Sequence, residues 1–284
     1  MSKELFVNYN GQFHSEKEYI ISPKNRAFRY GDGLFETIKM VDGKALFFHD
    51  HYVRMNAGMK YLKMGFDKFG FSEQYLHKEI SKTAERNKSS DSSIIRLQVF
   101  RNYGGKYTPT KNECSFLIEA EPCTDIHFKL NEKGLRITVY SEEVKQLTRL
   151  SNFKTCNSLI YILAGLYKTE NSFDDALILN ENNFIAEAVS SNIFIARNDE
   201  FFTPPLEDGC VDGVMRKQII TLLRSQHKKV VEQSLIPDHL LQADEVFFTN
   251  TVHGITWVGA FKSKRYFSNH SRRLIDLLNA TIHQ

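Results

Sequence analysis

Three stretches of the chain carry side chains whose types and spacing could do chemistry together. The first reads Leu150-Ser151-Asn152-Phe153-Lys154-Thr155-Cys156-Asn157. A lysine amine attacks a carbonyl only when unprotonated, and a partly buried site favours that neutral form. Taken alone, a lysine between Phe153 and Thr155 is ordinarily a solvated strand-end residue. Thirty-three residues later Glu187 stands in the run Ile185-Ala186-Glu187-Ala188-Val189, ahead of Ser190, Ser191 and Asn192. An acid in so apolar a setting needs a partner. In the third stretch, Asp212-Gly213-Val214-Met215-Arg216, a glycine directly precedes a helical pattern, and the free N–H groups of a helix start can hold an anion such as phosphate.

Other local signals carry less. His49 and His51 lie two apart, on different faces of a helix, and no third ligand stands nearby, so they read as polar residues at a helix start and no metal site is expected. Gly31-Asp32-Gly33 lacks the Lys-Ser or Lys-Thr of a nucleotide loop and reads as a turn. Ser190-Ser191 has no Gly-x-Ser-x-Gly around it, which removes the serine hydrolases. Cys114, Cys123, Cys156 and Cys210 are too dispersed for a zinc site and read as reduced thiols.

The frame that must position these stretches has 284 residues, enough for one large domain or two of modest size. With 42% hydrophobic residues, 22 Phe and 12 Tyr, it is built to bury a core. Its 37 basic and 34 acidic residues leave a net charge of +3, too little for a nucleic-acid or anionic-membrane surface. The longest apolar run covers residues 159–166, against about twenty needed to cross a bilayer. Nothing near Met1 reads as a secretory signal, so a cytoplasmic setting is expected.

Along the chain, alternation around Asn10-Gly11 predicts one hairpin, and residues 34–40, the turn Asp42-Gly43 and residues 45–48 predict a second. Helices are expected over 51–62 and 72–86, and strands over 93–100 and 114–120. Pro122 with its acidic neighbours marks a boundary, giving a small domain over 1–121, a linker over 122–128 and a larger domain over 129–284. Beyond it come a strand at 135–140, a helix at 156–168, strands at 176–179 and 191–196, and a helix after Gly213. Strands near Val230 and at 245–249 and a closing amphipathic helix over 268–283 complete the pattern, which is α+β rather than strictly alternating βαβ.

Several segments then resemble, in order and spacing, the class IV aminotransferases, the pyridoxal-phosphate enzymes of fold type IV. They are Arg29-Tyr30-Gly31-Asp32-Gly33-Leu34-Phe35-Glu36-Thr37, His51-Tyr52-Val53-Arg54, the Lys154 and Glu187 segments, Gly213-Val214-Met215-Arg216, and Asp244 through Thr251. The resemblance implies a small N-terminal sandwich-like α/β domain and a larger C-terminal domain with a pseudo-barrel sheet, as in the D-amino acid aminotransferases. It also implies that pyridoxal 5'-phosphate is the cofactor, that Lys154 forms the Schiff base with it, and that Glu187 pairs with the pyridine nitrogen. Arg54, the backbone of Val214 and Met215, and Thr251 would hold the phosphate, with Ser191, Asn192 and Asn250 completing the cofactor-binding set. Tyr30, Lys106 and Tyr107 are the implied substrate contacts, and family members are usually homodimers.

The chain departs from the pattern in two places. Met215 stands where many relatives carry Thr, leaving only a main-chain contact to the phosphate. Lys106-Tyr107-Thr108 replaces the Arg-x-His of the D-amino acid enzymes, which speaks against D-specificity. The expected activity is transfer of an amino group from an amino acid, branched-chain-like or similar, to a 2-oxo acid. Branched-chain aminotransferases typically have a different loop here and longer chains, while Met215 and Asn250 resemble some aminodeoxychorismate lyases. The alternatives are therefore that lyase, which splits 4-amino-4-deoxychorismate to 4-aminobenzoate and pyruvate, or a non-catalytic metabolite-binding relative.

Overall fold

A computed structural model describes residues 4–65 and 71–282. The extreme N-terminus and His283, the expected end of the last helix, lie outside the described residues. The chain divides into two compact units: one extends to Ile126 and includes Phe153–Asn157, and the other takes His127–Asn152 and the chain from Ser158 onward.

In the first unit, β1 (Phe6–Tyr9) and β2 (Gln12–Ser15) form the hairpin at Asn10-Gly11. They are followed by α1 (Arg26–Tyr30), β3 (Gly33–Val41), β4 (Lys44–Ala45), α2 (Phe48–Tyr61), α3 (Glu73–Arg86), β5 (Ser92–Arg101) and β6 (Cys114–Pro122). The strands make one antiparallel sheet in the order β2-β1-β6-β5-β3-β4. Alternation puts Leu34, Ile38 and Met40 of β3 on the inner face, where they pack with Met55 and Met59 of α2 and Leu76 and Ile80 of α3. The returning strand of the second hairpin is shorter than its sequence suggests. Phe47 turns into the left-handed region at φ 54°, and the buried Phe48 opens α2 instead of extending β4.

The second unit contains β7 (Leu135–Lys145), α4 (Leu159–Glu170), β8 (Asp175–Asn180), β9 (Ile185–Ala188), β10 (Asn192–Arg197), β11 (Glu200–Thr203) and α5 (Val214–Ser225). It ends with β12 (Val230–Glu232), α6 (Pro237–Leu241), β13 (Glu245–Asn250), β14 (Gly254–Phe261), β15 (Lys264–Arg265) and α7 (Asn269–Ile282). Its mixed sheet runs β12-β11-β10-β13-β14-β7-β8-β9, with β15 on β14. Strand β9 ends that order while β10 is third from the other end, yet a turn closed by Ala188 N–H donating to Ser191 O at 2.8 Å joins them. The sheet therefore curls into a half-barrel around Ile137, Leu177, Ile193, Val246, Phe248 and Val258. Helix α4 starts at Leu159, later than the expected 156, because Cys156 N–H donates to Gly33 O at 2.9 Å and holds that stretch extended.

Candidate active site

Lys154 is positioned by backbone pairing with β3: Phe35 N–H donates to Lys154 O at 2.9 Å, and Leu34 bridges Thr155. Its half-buried amine lies 4.6 Å from the centre of the Phe35 ring. In the same unit Glu36 turns inward from β3 to meet two residues of α2. Arg54 gives Glu36 one guanidinium edge, Nε at 2.9 Å from Oε1 and Nη2 on Oε2, while His51 Nδ1 lies 2.7 Å from Oε2. All three side chains are buried. Burial alone would raise the Glu36 carboxyl, but the Arg54 charge and the His51 and Arg54 hydrogen bonds outweigh it and hold it at about 2. Burial pushes the His51 imidazole down, with Arg54 and Lys154 acting in the same sense against Glu36. A neutral His51 donates from Nδ1 to Glu36, leaving Nε2 buried and without a hydrogen-bond partner.

The expected substrate contacts also lie in this unit. Arg26 of α1 donates to Gly104 O at 3.0 Å and Lys106 O at 2.6 Å, and its Nε meets Asp32 at 2.7 Å. It stacks over Tyr30, whose ring is 5.5 Å from that of Tyr107. Tyr30 of α1 is thus brought against Tyr107 of the loop that Arg26 anchors, where the Tyr107 and Lys106 side chains are exposed.

The remaining candidates belong to the second unit. Glu187, buried on β9, accepts the Tyr161 hydroxyl at 2.7 Å and the Lys145 ammonium on Oε1, and Val211 N–H at 3.0 Å on Oε2. Burial, reinforced by Glu187, pushes the Tyr161 phenol up, so it remains a donor. Burial first and Glu187 next push the neighbouring Cys210 thiol up to about 12, which leaves it protonated and no nucleophile. Asn192 donates to Val211 O at 2.9 Å. Asn250 donates to Ser191 Oγ at 2.9 Å while its Oδ1 accepts Val252 and His253 N–H at 3.1 and 2.8 Å, so it organises the turn that carries Thr251.

Helix α5 begins at Val214 with Gly213 before it and no side-chain cap, and Val214 and Met215 are buried. Arg216 points back to Pro204 O at 2.8 Å and Glu232 at 2.7 Å, fixing the approach to the helix. An uncapped, twelve-residue helix whose start is buried suits a bound phosphate, and the carboxylate of Glu187 suits a cationic ring nitrogen. The donor set of the second unit therefore fits pyridoxal phosphate, while the first unit supplies an amine and a guanidinium.

The family model for amino-transferase class IV matches residues 33–261. The chain belongs to the class IV aminotransferase family. These enzymes use pyridoxal phosphate. This class IV chain is 29% identical over 248 residues to a putative branched-chain-amino-acid aminotransferase of Methanocaldococcus jannaschii, covering 86% of this chain and 84% of that one. It is 28% identical over 241 residues to the aminodeoxychorismate lyase of Vibrio harveyi, covering 84% and 86%. Its fold matches the crystal structure of a branched-chain aminotransferase from Thermoproteus uzoniensis with norvaline, at a TM-score of 0.87 and 23% identity over 99% of this chain and 95% of that one. Among the described residues no helix is long and apolar enough to cross a membrane.

Sequence reasoning missed four polar residues in the clusters that hold the candidate side chains Arg54 and Glu187. Glu36 was visible in principle, since it shares the alternation of Leu34, Ile38 and Met40 and so had to face inward. His51, expected to be an ordinary polar residue at a helix start, is buried because it lies on the Arg54 and Met55 side of α2. Lys145 and Tyr161 left no local signal, because β7 was expected to stop at Tyr140 and a Tyr in an apolar helix reads as core.

Proposed function

We propose that this class IV enzyme is an aminotransferase that moves the amino group of a branched-chain-like amino acid to a 2-oxo acid. The observation that carries the reading is the family match over residues 33–261, within which the Lys154, Glu187 and Gly213 motifs all fall. Bound pyridoxal phosphate supplies an aldehyde carbon that bonds an amine and a ring that withdraws electrons from the substrate Cα. Lys154 Nζ would hold that carbon and, once free, would take the Cα proton as a general base. Glu187 would face the ring nitrogen. Arg54, held by Glu36, would be a phosphate ligand, as would Thr251 and the first amides of α5, while Ser191, Asn192 and Asn250 keep the turns of their own unit in place. Tyr30, Tyr107 and Lys106 meet the substrate.

The purified protein is expected to absorb near the visible edge with a pH-sensitive band, and Lys154→Ala to abolish it. Persistence of the band in that variant would assign the bond to another lysine. A panel of amino acids against 2-oxo acids, scored by keto-acid formation, identifies the substrate. The lyase reading stays beside the first because the Vibrio harveyi lyase and the Methanocaldococcus jannaschii relative are almost equally similar to this chain. Absence of aminobenzoate release from 4-amino-4-deoxychorismate removes it. The reading also includes a cytoplasmic setting and a homodimer, the latter supported by the aliphatic face that α4 leaves exposed.

A further inference from the structure

Lys145 has no role in the reaction as described so far, yet the fold departs from regular pairing to bring it inside. Between Tyr140 and Lys145 β7 advances five residues, while its partner β8 advances two, from Ile178 to Asn180. The intervening Ser141, Glu142, Glu143 and Val144 are exposed, and Lys145 is buried at 6%. Such an irregularity re-aims a side chain at the cost of ladder hydrogen bonds. Here it directs an ammonium onto Glu187 Oε1 and Ser151 O, the latter at 3.2 Å, and to 5.3 Å from the centre of the Tyr161 ring.

An ionised carboxylate has about four acceptor positions, two on each oxygen. Lys145 and Tyr161 take both on Oε1, and Val211 N–H takes one on Oε2. One acceptor position is left, on Oε2. We infer that Lys145 is a positioning residue for the ring nitrogen of the cofactor: with Tyr161 it occupies Oε1, and so leaves Oε2 to receive a protonated ring nitrogen. The inference rests on the reading of Glu187 as the ring-nitrogen partner.

With Lys145 replaced by an uncharged residue, Oε1 loses its charged donor and the carboxylate is no longer held with Oε2 as the open oxygen. The other titratable groups facing the carboxylate are Tyr161 from α4 and Cys210 from the turn before α5, and burial raises both, so both stay protonated at neutral to mildly alkaline pH.

The test titrates cofactor-free enzyme at one pH with pyridoxal phosphate and with its carbocyclic analogue, in which C–H replaces the ring nitrogen. Taking the ratio of the two dissociation constants cancels the phosphate contacts, which both ligands share, and comparing variants at that pH holds the ligands' own chemistry constant. The unmodified enzyme should prefer pyridoxal phosphate by about tenfold or more, for one charge-assisted hydrogen bond. Lys145→Met should reduce that preference to within about twofold, and Lys145→Arg should restore it, because a guanidinium keeps a charged donor there. If Lys145→Met does not fold, as judged by circular dichroism and melting, Lys145→Gln carries the same expectation. An unchanged preference in the uncharged variant, with Glu187→Gln abolishing it, overturns the inference and leaves Glu187 in its role. A preference that survives Glu187→Gln overturns the ring-nitrogen reading, and the inference with it.

Discussion

Glu36 is 2% exposed, and a charge that deep is tolerated only when it is paired. Its partners Arg54 and His51 come from one helix, so the cluster is a joint between β3 and α2 as well as the support of the proposed phosphate ligand. The two titrations push stability in the same direction. The Glu36 carboxyl lies at about 2 in the folded protein against an ordinary 4.5, so its stabilisation, about 3 kcal/mol, is complete above 4.5 and disappears as pH falls towards 2. His51 is depressed from 6.5, so the unfolded chain takes up that proton first and native stability already declines as pH drops below 6.5. Melting temperature followed from pH 7 to pH 3 should fall in both ranges. Glu36→Gln should remove the lower one while lowering stability at pH 7 by about 3 kcal/mol, because it strands a buried guanidinium. A Glu36→Gln profile that parallels the unmodified protein below pH 4.5 would place the acid sensitivity elsewhere. At the same scale, Cys210 should resist iodoacetamide in the native protein at pH 8, since its thiol stays protonated far above that pH. Rapid labelling, read by mass spectrometry, would mean that the turn before α5 opens.

Elements position the site through a few very close approaches. At Gly213 an added Cβ would lie 1.9 Å from Asn192 Oδ1, and Asn192 in turn holds Val211 O, whose residue donates to Glu187. Gly213→Ala should therefore displace Asn192 and disturb both the amides at the head of α5 and the Glu187 carboxylate. Losing one charge-assisted hydrogen bond to phosphate should weaken cofactor binding about tenfold or more, measurable by equilibrium dialysis. In the half-barrel, β14 pairs with β7 through Val258 and Ala260 and skips Gly259, which packs against Gly134. A Cβ on Gly134 would sit 2.4 Å from the Gly259 Cα, where backbone rather than a flexible side chain must give way. Gly134→Ala should cost about 3 kcal/mol in denaturant unfolding, at the upper end for overpacking. Much at this scale was legible. Asn10-Gly11 and Gly213 before α5 each mark their element by local chemistry. The return of Phe153–Asn157 to β3 was not, because an extended segment that pairs with a strand far away in sequence has no periodicity of its own. The irregular advance of β7 to Lys145 was hidden for a related reason: Ser141, Glu142 and Glu143 break the alternation that marks a strand.

At the scale of the whole molecule, helix α4 presents an apolar stripe. Leu159, Ile162, Leu163 and Leu166 follow one another at i, i+3, i+4 and i+7 along α4, which makes them a single stripe, and all four are exposed, Leu159 at 74%. The inner side of the helix meets β7 and β8 through Ala164, Ile160, Tyr161 and Tyr167, so the stripe is the side that this packing leaves over. Scattered exposed aliphatic residues are unremarkable, whereas a contiguous helical stripe favours association. Tyr161 ties this surface to the chemistry, because the same helix that presents the stripe donates its hydroxyl to Glu187. Covering the stripe with a second copy would thus also steady the residue proposed to face the cofactor ring. The protein is expected to sediment as a dimer at micromolar concentration, and Ile162→Glu with Leu166→Glu should raise the dimer dissociation constant about a hundredfold, from roughly 1.4 kcal/mol lost at each position. Cofactor affinity, measured on the same samples, should fall as the dimer dissociates. An unmodified protein that sediments as a monomer would remove this role for the stripe, and a dissociated variant that binds cofactor at full strength would separate assembly from the site.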